Sequence, residues 1–275
     1  MKRYCLFAIL GTLGICFSFC SGQEDMTEAT KEILHAGIMK NAGWAMTQEP
    51  QTITDFPCGR SAGGIHDFYS EGDYWWPDPD NPDGPYIRRD GLTNPDNFTA
   101  HRLSMIRFSK VTGALASAYI LTKDEKYVRQ AFRHIDAWFV NPATMMNPSL
   151  LYAQAIKGVA TGRGIGIIDT IHLMEVAQAV LRMQEATCVN KDTLREIKLW
   201  FSGYIRWLTT HPYGIEEMNA RNNHATCWVM QVASFAKLTG DEDILEFCRS
   251  RYKNILLPGQ TADDGSFPHD QGKTP

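Results

Sequence analysis

The stretch Leu173-Met174-Glu175-Val176-Ala177-Gln178-Ala179-Val180-Leu181 sets Leu173, Val176, Ala177, Val180 and Leu181 at i, i+3, i+4, i+7 and i+8. That spacing is one apolar stripe of an α-helix packed against a core. The pattern repeats on both sides. Downstream, Leu194, Ile197, Phe201, Ile205 and Leu208 form a stripe that stops at His211-Pro212, since proline removes a helix donor. A further helix follows Asn223 and ends at Gly240, and Asp241 then caps one carrying Ile244, Phe247, Cys248 and Tyr252 before Pro258. Upstream, Asp124 caps a stripe of Tyr127, Ala131, Ile135 and Trp138 that closes at Asn141-Pro142, and Thr99 caps one of Leu103, Ile106, Leu115, Ala118 and Leu121. Near the start, Asp25 and Glu28 have capping-box spacing ahead of Ile33, Leu34, Ile38 and Met39.

No run alternates as a strand does, so the sequence predicts an all-α fold of antiparallel helix hairpins. Such hairpins close into a ring or stack as a solenoid. Because no strict repeat of sequence is present, an incomplete α/α toroid (barrel) is the expected architecture. The exception to the helical pattern is residues 47–98, rich in Gly, Pro, Asp and Asn. Its Tyr69, Tyr74, Trp75, Trp76 and Tyr86 argue against disorder, which is poor in aromatics. The expectation is a long ordered aromatic loop over a cleft.

The chain has 275 residues, 44% hydrophobic and 21% charged, enough for one domain with a real core. The net charge of −4, with no basic block, speaks against nucleic-acid binding, which needs a clustered basic face. Lys2 and Arg3 precede the apolar run Leu6–Phe19 and the small residues Cys20-Ser21-Gly22. Residues 1–22 therefore read as a signal peptide and 23–275 as the mature domain, with periplasmic or secreted destination and no membrane span. A lipid anchor on Cys16 or Cys20 is disfavoured by bulky Ile15 and Phe19 just before them. Cys58, Cys188, Cys227 and Cys248 are far apart without a C-x-x-C, which argues against a metal knuckle and leaves buried thiols or a disulfide.

Three groups of residues carry candidate chemistry. Asn222-Asn223-His224 opens an apolar helical run. An imidazole with an ordinary pKa of about 6.5 can move protons, and an amide beside it can hold an anion without adding charge. The competing reading makes Asn222 a helix cap and His224 a packed polar residue. Tyr74-Trp75-Trp76 offers flat rings for stacking on sugars, or a plug that holds the loop down. Arg163, in Thr161-Gly162-Arg163-Gly164-Ile165-Gly166, can fork onto a carboxylate or serve a structural purpose. That Gly-rich run lacks the Gly-Lys-Ser/Thr ending of a phosphate loop, which excludes nucleotide binding.

Taken in order, His66-Asp67-Phe68-Tyr69-Ser70-Glu71-Gly72-Asp73-Tyr74-Trp75-Trp76-Pro77-Asp78-Pro79, Met146-Asn147-Pro148-Ser149-Leu150, Gly162 to Thr170 and Asn222-Asn223-His224 resemble the alginate-lyase group of polysaccharide lyases, families 5 and 38. The resemblance implies an incomplete α/α toroid with a deep cleft that cleaves uronic-acid polysaccharides by β-elimination. It places Asn223 at the substrate carboxylate and His224 as the base or its assistant, with Asn222, Arg163, Tyr74, Trp75 and Trp76 binding an anionic polysaccharide or oligosaccharide. It calls for neither a metal nor another cofactor. A family tyrosine, the expected acid, follows an Asp-Gly-Ser stretch near a basic residue. Here Asp264-Gly265-Ser266 is followed by Lys273, a candidate substrate-binding cation, and then by Pro275. The expectation is therefore a chain truncated before that tyrosine and the closing helices. Two rival readings stay open: a catalytically impaired uronate-glycan-binding protein, and an α/α-toroid glycoside hydrolase, whose carboxylates would meet in space rather than in sequence.

Overall fold

The structure, a computed structural model, describes residues 19–268, with side chains from residue 30 onward. The expected signal peptide and Lys273 therefore lie wholly or largely outside the described residues. Among those residues no single helix is long and apolar enough to cross a membrane.

Helices dominate, as the stripes predict. α1 (Phe19–Met46) begins ahead of Asp25 rather than being capped by it. α2 (Ala100–Thr122) and α3 (Glu125–Phe139) form a hairpin. Asp124 caps α3 by accepting from the Lys126 N–H at 2.9 Å, whereas the Thr99 hydroxyl makes no capping bond to α2. α4 (Leu173–Met183) and α5 (Lys191–Thr210) follow, the latter capped by Asn190. His211 and Pro212 stop α5 as expected and also start a short helix that the sequence did not announce, α6 (Pro212–Met218), with proline in its first turn. α7 (Asn223–Thr239) ends at Gly240 in a left-handed cap of φ 78°, where glycine has no Cβ to clash. α8 (Glu242–Arg251) runs on through a wider turn, Tyr252–Leu256, into α9 (Leu257–Gln260).

α2, α4 and α7 pack side by side, and α3 packs on α5. The hairpin contacts α2–α3 and α5–α7 join these rows, the double-layer plan of an incomplete α/α toroid. The rows meet on aromatic side chains. Phe108 and Trp138 stack at 4.9 Å with planes 3° apart, and Phe139, Trp200, Phe201, Tyr204 and Phe235 continue the contact. Three of the buried indoles have their N–H groups paired. Trp138 donates to Gln51 O, Trp200 to Met146 O and Trp228 to Leu208 O. Those bonds let polar-tipped rings sit in the core without an orphan donor.

The segment before α2 is ordered, as expected, and carries short strands within the all-α fold. β1 (Tyr69–Glu71) pairs in parallel with β4 (Tyr152–Ala155), and β2 (Trp75–Trp76) pairs antiparallel with β3 (Ile87–Arg88). Two or three residues are too few to show a period of two, so the alternation test had nothing to detect. On β1, Ser70 turns inward to Gln154 and Asp169, while the Tyr69 hydroxyl bonds Glu71 on the other face.

Trp138 fixes the fold's centre from three sides: its ring on Phe108, its N–H on the loop at Gln51, and its backbone O on Met146 N. Trp138→Ala should cost about 3–5 kcal/mol, the usual range for emptying a large aromatic site. Urea unfolding of the two proteins measures it, and a loss under about 1 kcal/mol would mean that the ring packs loosely.

Candidate active site

His224 sits in the first turn of α7, and its placement follows from the turn before it. Asn222 caps the helix by accepting from the His224 N–H at 3.3 Å. The Asn222 carbonyl in turn accepts from Gln260 Nε2 at 2.6 Å, and Thr226 Oγ1 donates to Gln260 Oε1. Arg251 reaches Met218 O and Asn219 Oδ1. The last helices thus clamp the α6–α7 turn. Folding α6 back this way brings Glu217 to His224, with Oε1 2.6 Å from Nδ1. Both side chains are largely buried, 4% and 14% exposed. A carboxylate can only accept, so a neutral ring at this contact carries its proton on Nδ1 and leaves the Nε2 lone pair for a proton from elsewhere. Asn223, at the first position of α7, is exposed beside it.

Arg163 occupies the turn into a short 3-10 helix, Gly164–Thr170. Its Nε donates to Gln154 O at 2.9 Å and its Nη2 to Gln154 Oε1 at 3.2 Å. The guanidinium carbon lies 5.9 Å from the Trp75 ring centroid, within cation–π range. Burial lowers the Arg163 pKa, and Arg88 lowers it further, partly offset by Glu216 and Asp169. An arginine stays charged regardless, so a half-buried cation here favours an anionic visitor. The residues Gly162, Gly164 and Gly166 allow this turn to nestle. A Cβ at Gly164 would meet Glu216 Oε2 at 2.7 Å and Tyr213 O at 2.9 Å, both on α6. The Tyr213 hydroxyl also donates to Gly162 O. α6 is therefore the bridge between Arg163 on one side and His224 on the other.

Of the residues singled out from sequence, Trp75 and Arg163 meet directly, and Asn222, Asn223 and His224 share one turn. Trp76 instead serves its own loop. It donates to Leu92 O at 2.8 Å and lies under Arg89 at 5.4 Å. Tyr74 is exposed at the loop surface. Asn222 does cap the helix, as the structural reading of that turn has it. A cavity of about 680 Å³ opens on the face of the β1–β4 ribbon that carries Tyr69 and Glu71, with Arg60, Tyr86 and Lys157 around it. None of the sequence-derived site residues lines it. Among the described residues no group of three or more His, Cys, Asp or Glu side chains could hold a metal ion. Cys58, Cys188 and Cys248 are unpaired thiols.

Two residues escaped the sequence reading. Glu217 lies seven positions before His224 on a different helix, and no spacing rule within one helix joins them. Gln154 lies in a strand too short to register. The Glu217–His224 bond makes a direct expectation. Long-range proton–nitrogen NMR should find the neutral His224 ring protonated on Nδ1. Glu217→Ala should move it toward the Nε2–H tautomer, and identical spectra would show that the carboxylate does not set the ring.

With fold and site in place, comparison with known proteins is informative. The sequence pattern of the alginate lyase family matches residues 52–274, and the chain belongs to that family. It is similar to a crystallographically solved alginate lyase from Bacteroides ovatus. The two are 34% identical with a TM-score of 0.78, over 85% of this chain and 62% of that one. It is similar in fold to alginate lyase A1-III from Sphingomonas species A1, at 14% identity and a TM-score of 0.51, over 84% of this chain and 61% of that one. A histidine-to-alanine variant of alginate lyase A1-III complexed with tetrasaccharide gives 14% identity and a TM-score of 0.54, over 84% and 60%. The chain thus spans a little over three fifths of the length of these relatives. Among curated protein sequences, none matches.

Proposed function

We propose that the protein is a polysaccharide lyase that cleaves uronate-containing glycans, of alginate or glucuronan type, by β-elimination. The observation that carries the proposal is the Glu217–His224 pair at the start of α7, with Asn223 beside it in a chain of the alginate lyase family. Elimination asks first that the C6 carboxylate be neutralised so that the C5 proton becomes acidic. Asn223 and Arg163 suit that task, since oriented donors stabilise developing negative charge in a half-buried site. His224 Nε2 then takes the C5 proton. The C5–H electron pair forms the C4–C5 double bond, the C4–O bond breaks, and the departing oxygen takes a proton from an acid. The resemblance gives that acid role to a tyrosine. Trp75, with its ring beside Arg163, suits a sugar face next to its carboxylate. The A1-III complex with tetrasaccharide supports an oligosaccharide as the kind of molecule bound.

Incubation with alginate, and separately with glucuronan, should raise ultraviolet absorbance from the unsaturated uronate that elimination leaves. New reducing ends without that absorbance would point to a glycoside hydrolase, and tight binding without any product to a glycan-binding protein. His224→Ala should slow product formation at least about a hundredfold if the ring moves the proton. A near-parental rate would remove it from the chemistry.

We further propose export, on the Lys2-Arg3 charge and the Leu6–Phe19 apolar run. N-terminal sequencing of the exported protein should begin at Gln23, and an intact Met1 end would contradict a cleaved signal.

A further inference from the structure

Gln154 lies in β4 with φ +54°, in the left-handed region that residues with a Cβ avoid. Glycine adopts that conformation freely, yet the position holds a long amide whose polar groups all face partners. Its N–H donates to Ser70 Oγ at 2.8 Å, and its carbonyl accepts from Arg163 Nε. Its side-chain oxygen accepts from Arg163 Nη2 at 3.2 Å, and its side-chain nitrogen faces Asp169 Oδ1 at 3.4 Å. The residue is only 7% exposed. Asp169, itself buried, takes a hydrogen bond from the Ser70 hydroxyl and lies 3.4 Å from Arg102 Nε. Arg102 pairs with Asp73 at 3.0 Å, two residues before Trp75. Backbone strain of this kind persists where the surroundings over-determine it, and it collects at sites where orientation matters.

We infer that Gln154 is a positioning residue. Its left-handed backbone aims the amide at Arg163 and locks the guanidinium beside Trp75, so that the fork meets a uronate carboxylate in one orientation. Asp169 ties that lock to the aromatic loop through Ser70 and through Arg102 and Asp73. This rests on the reading of Arg163 as a carboxylate-binding residue.

The test is calorimetric titration with an alginate oligosaccharide, in a His224→Ala background so that the sugar is not consumed. Gln154→Asn keeps a residue tolerant of left-handed backbone but is too short to reach Arg163. It should weaken affinity by about five- to tenfold with Tm near the parent's, and by less than about twofold when Arg163→Ala is also present. With His224 intact, the same change should raise KM by a similar factor and leave kcat near parental. Gln154→Gly, which removes the strain and the amide together, should behave alike if the asparagine variant folds poorly. Equal losses in both backgrounds, or no loss in either, would overturn the positioning role alone. An Arg163→Ala protein that binds as well as its parent would overturn the carboxylate-binding reading, and the inference with it. Absence of binding by the parent would overturn both.

Discussion

Asp169 is a carboxylate that the fold has taken out of water, and much of the functional side is arranged around that fact. Burial pushes its pKa up, while Arg102, Ser70 and Gln154 push it back down. A buried charge without partners is expensive, so its neighbours must come to it. They come to the 3-10 turn from three separate stretches: β1 supplies Ser70, β4 Gln154 and α2 Arg102. Meeting this one demand holds the β1–β4 ribbon against the helical rows. It also fixes Arg163 at the ribbon's edge and draws the Asp73–Trp76 corner inward.

The second organising contact is α6. Seven residues long, it has little stability of its own, since isolated helices of that length do not persist in water. It holds because Pro212 pre-sets its first turn, because it lies directly on Gly164, and because α8 and α9 clamp the turn after it. One face meets the Arg163 turn and the next residue along, Glu217, meets His224. A cation suited to a carboxylate and an imidazole suited to a proton are thus set by one short rigid element. Elements of that kind place groups more accurately than loops do.

The helical plan and its punctuation were legible in the chain. Asp124, Asn222, Gly240 and Asp241 cap where their residue types predict, because capping is local chemistry between a side chain and the nearest backbone groups. The aromatic loop was legible as ordered, though not its two short ribbons. The reading was weaker wherever one residue had two uses. Trp75 and Trp76 are neighbours of the same type, yet one faces Arg163 and the other anchors Leu92, because successive strand residues point to opposite faces.

The sequence by itself determined the helical class, the order of the hairpins, the family resemblance and the candidate residues Arg163, Asn223 and His224. Each depends on spacing within one segment or on motifs read in order. Only the tertiary structure decided that Glu217 meets His224, that Gln154, itself in a left-handed conformation, bonds Arg163, and that Asp169 gathers partners from both halves of the chain. Those are contacts between residues far apart in sequence or on separate elements. They exist because buried polar groups must be paired, and the partner that satisfies each one is chosen by the fold rather than by any local pattern.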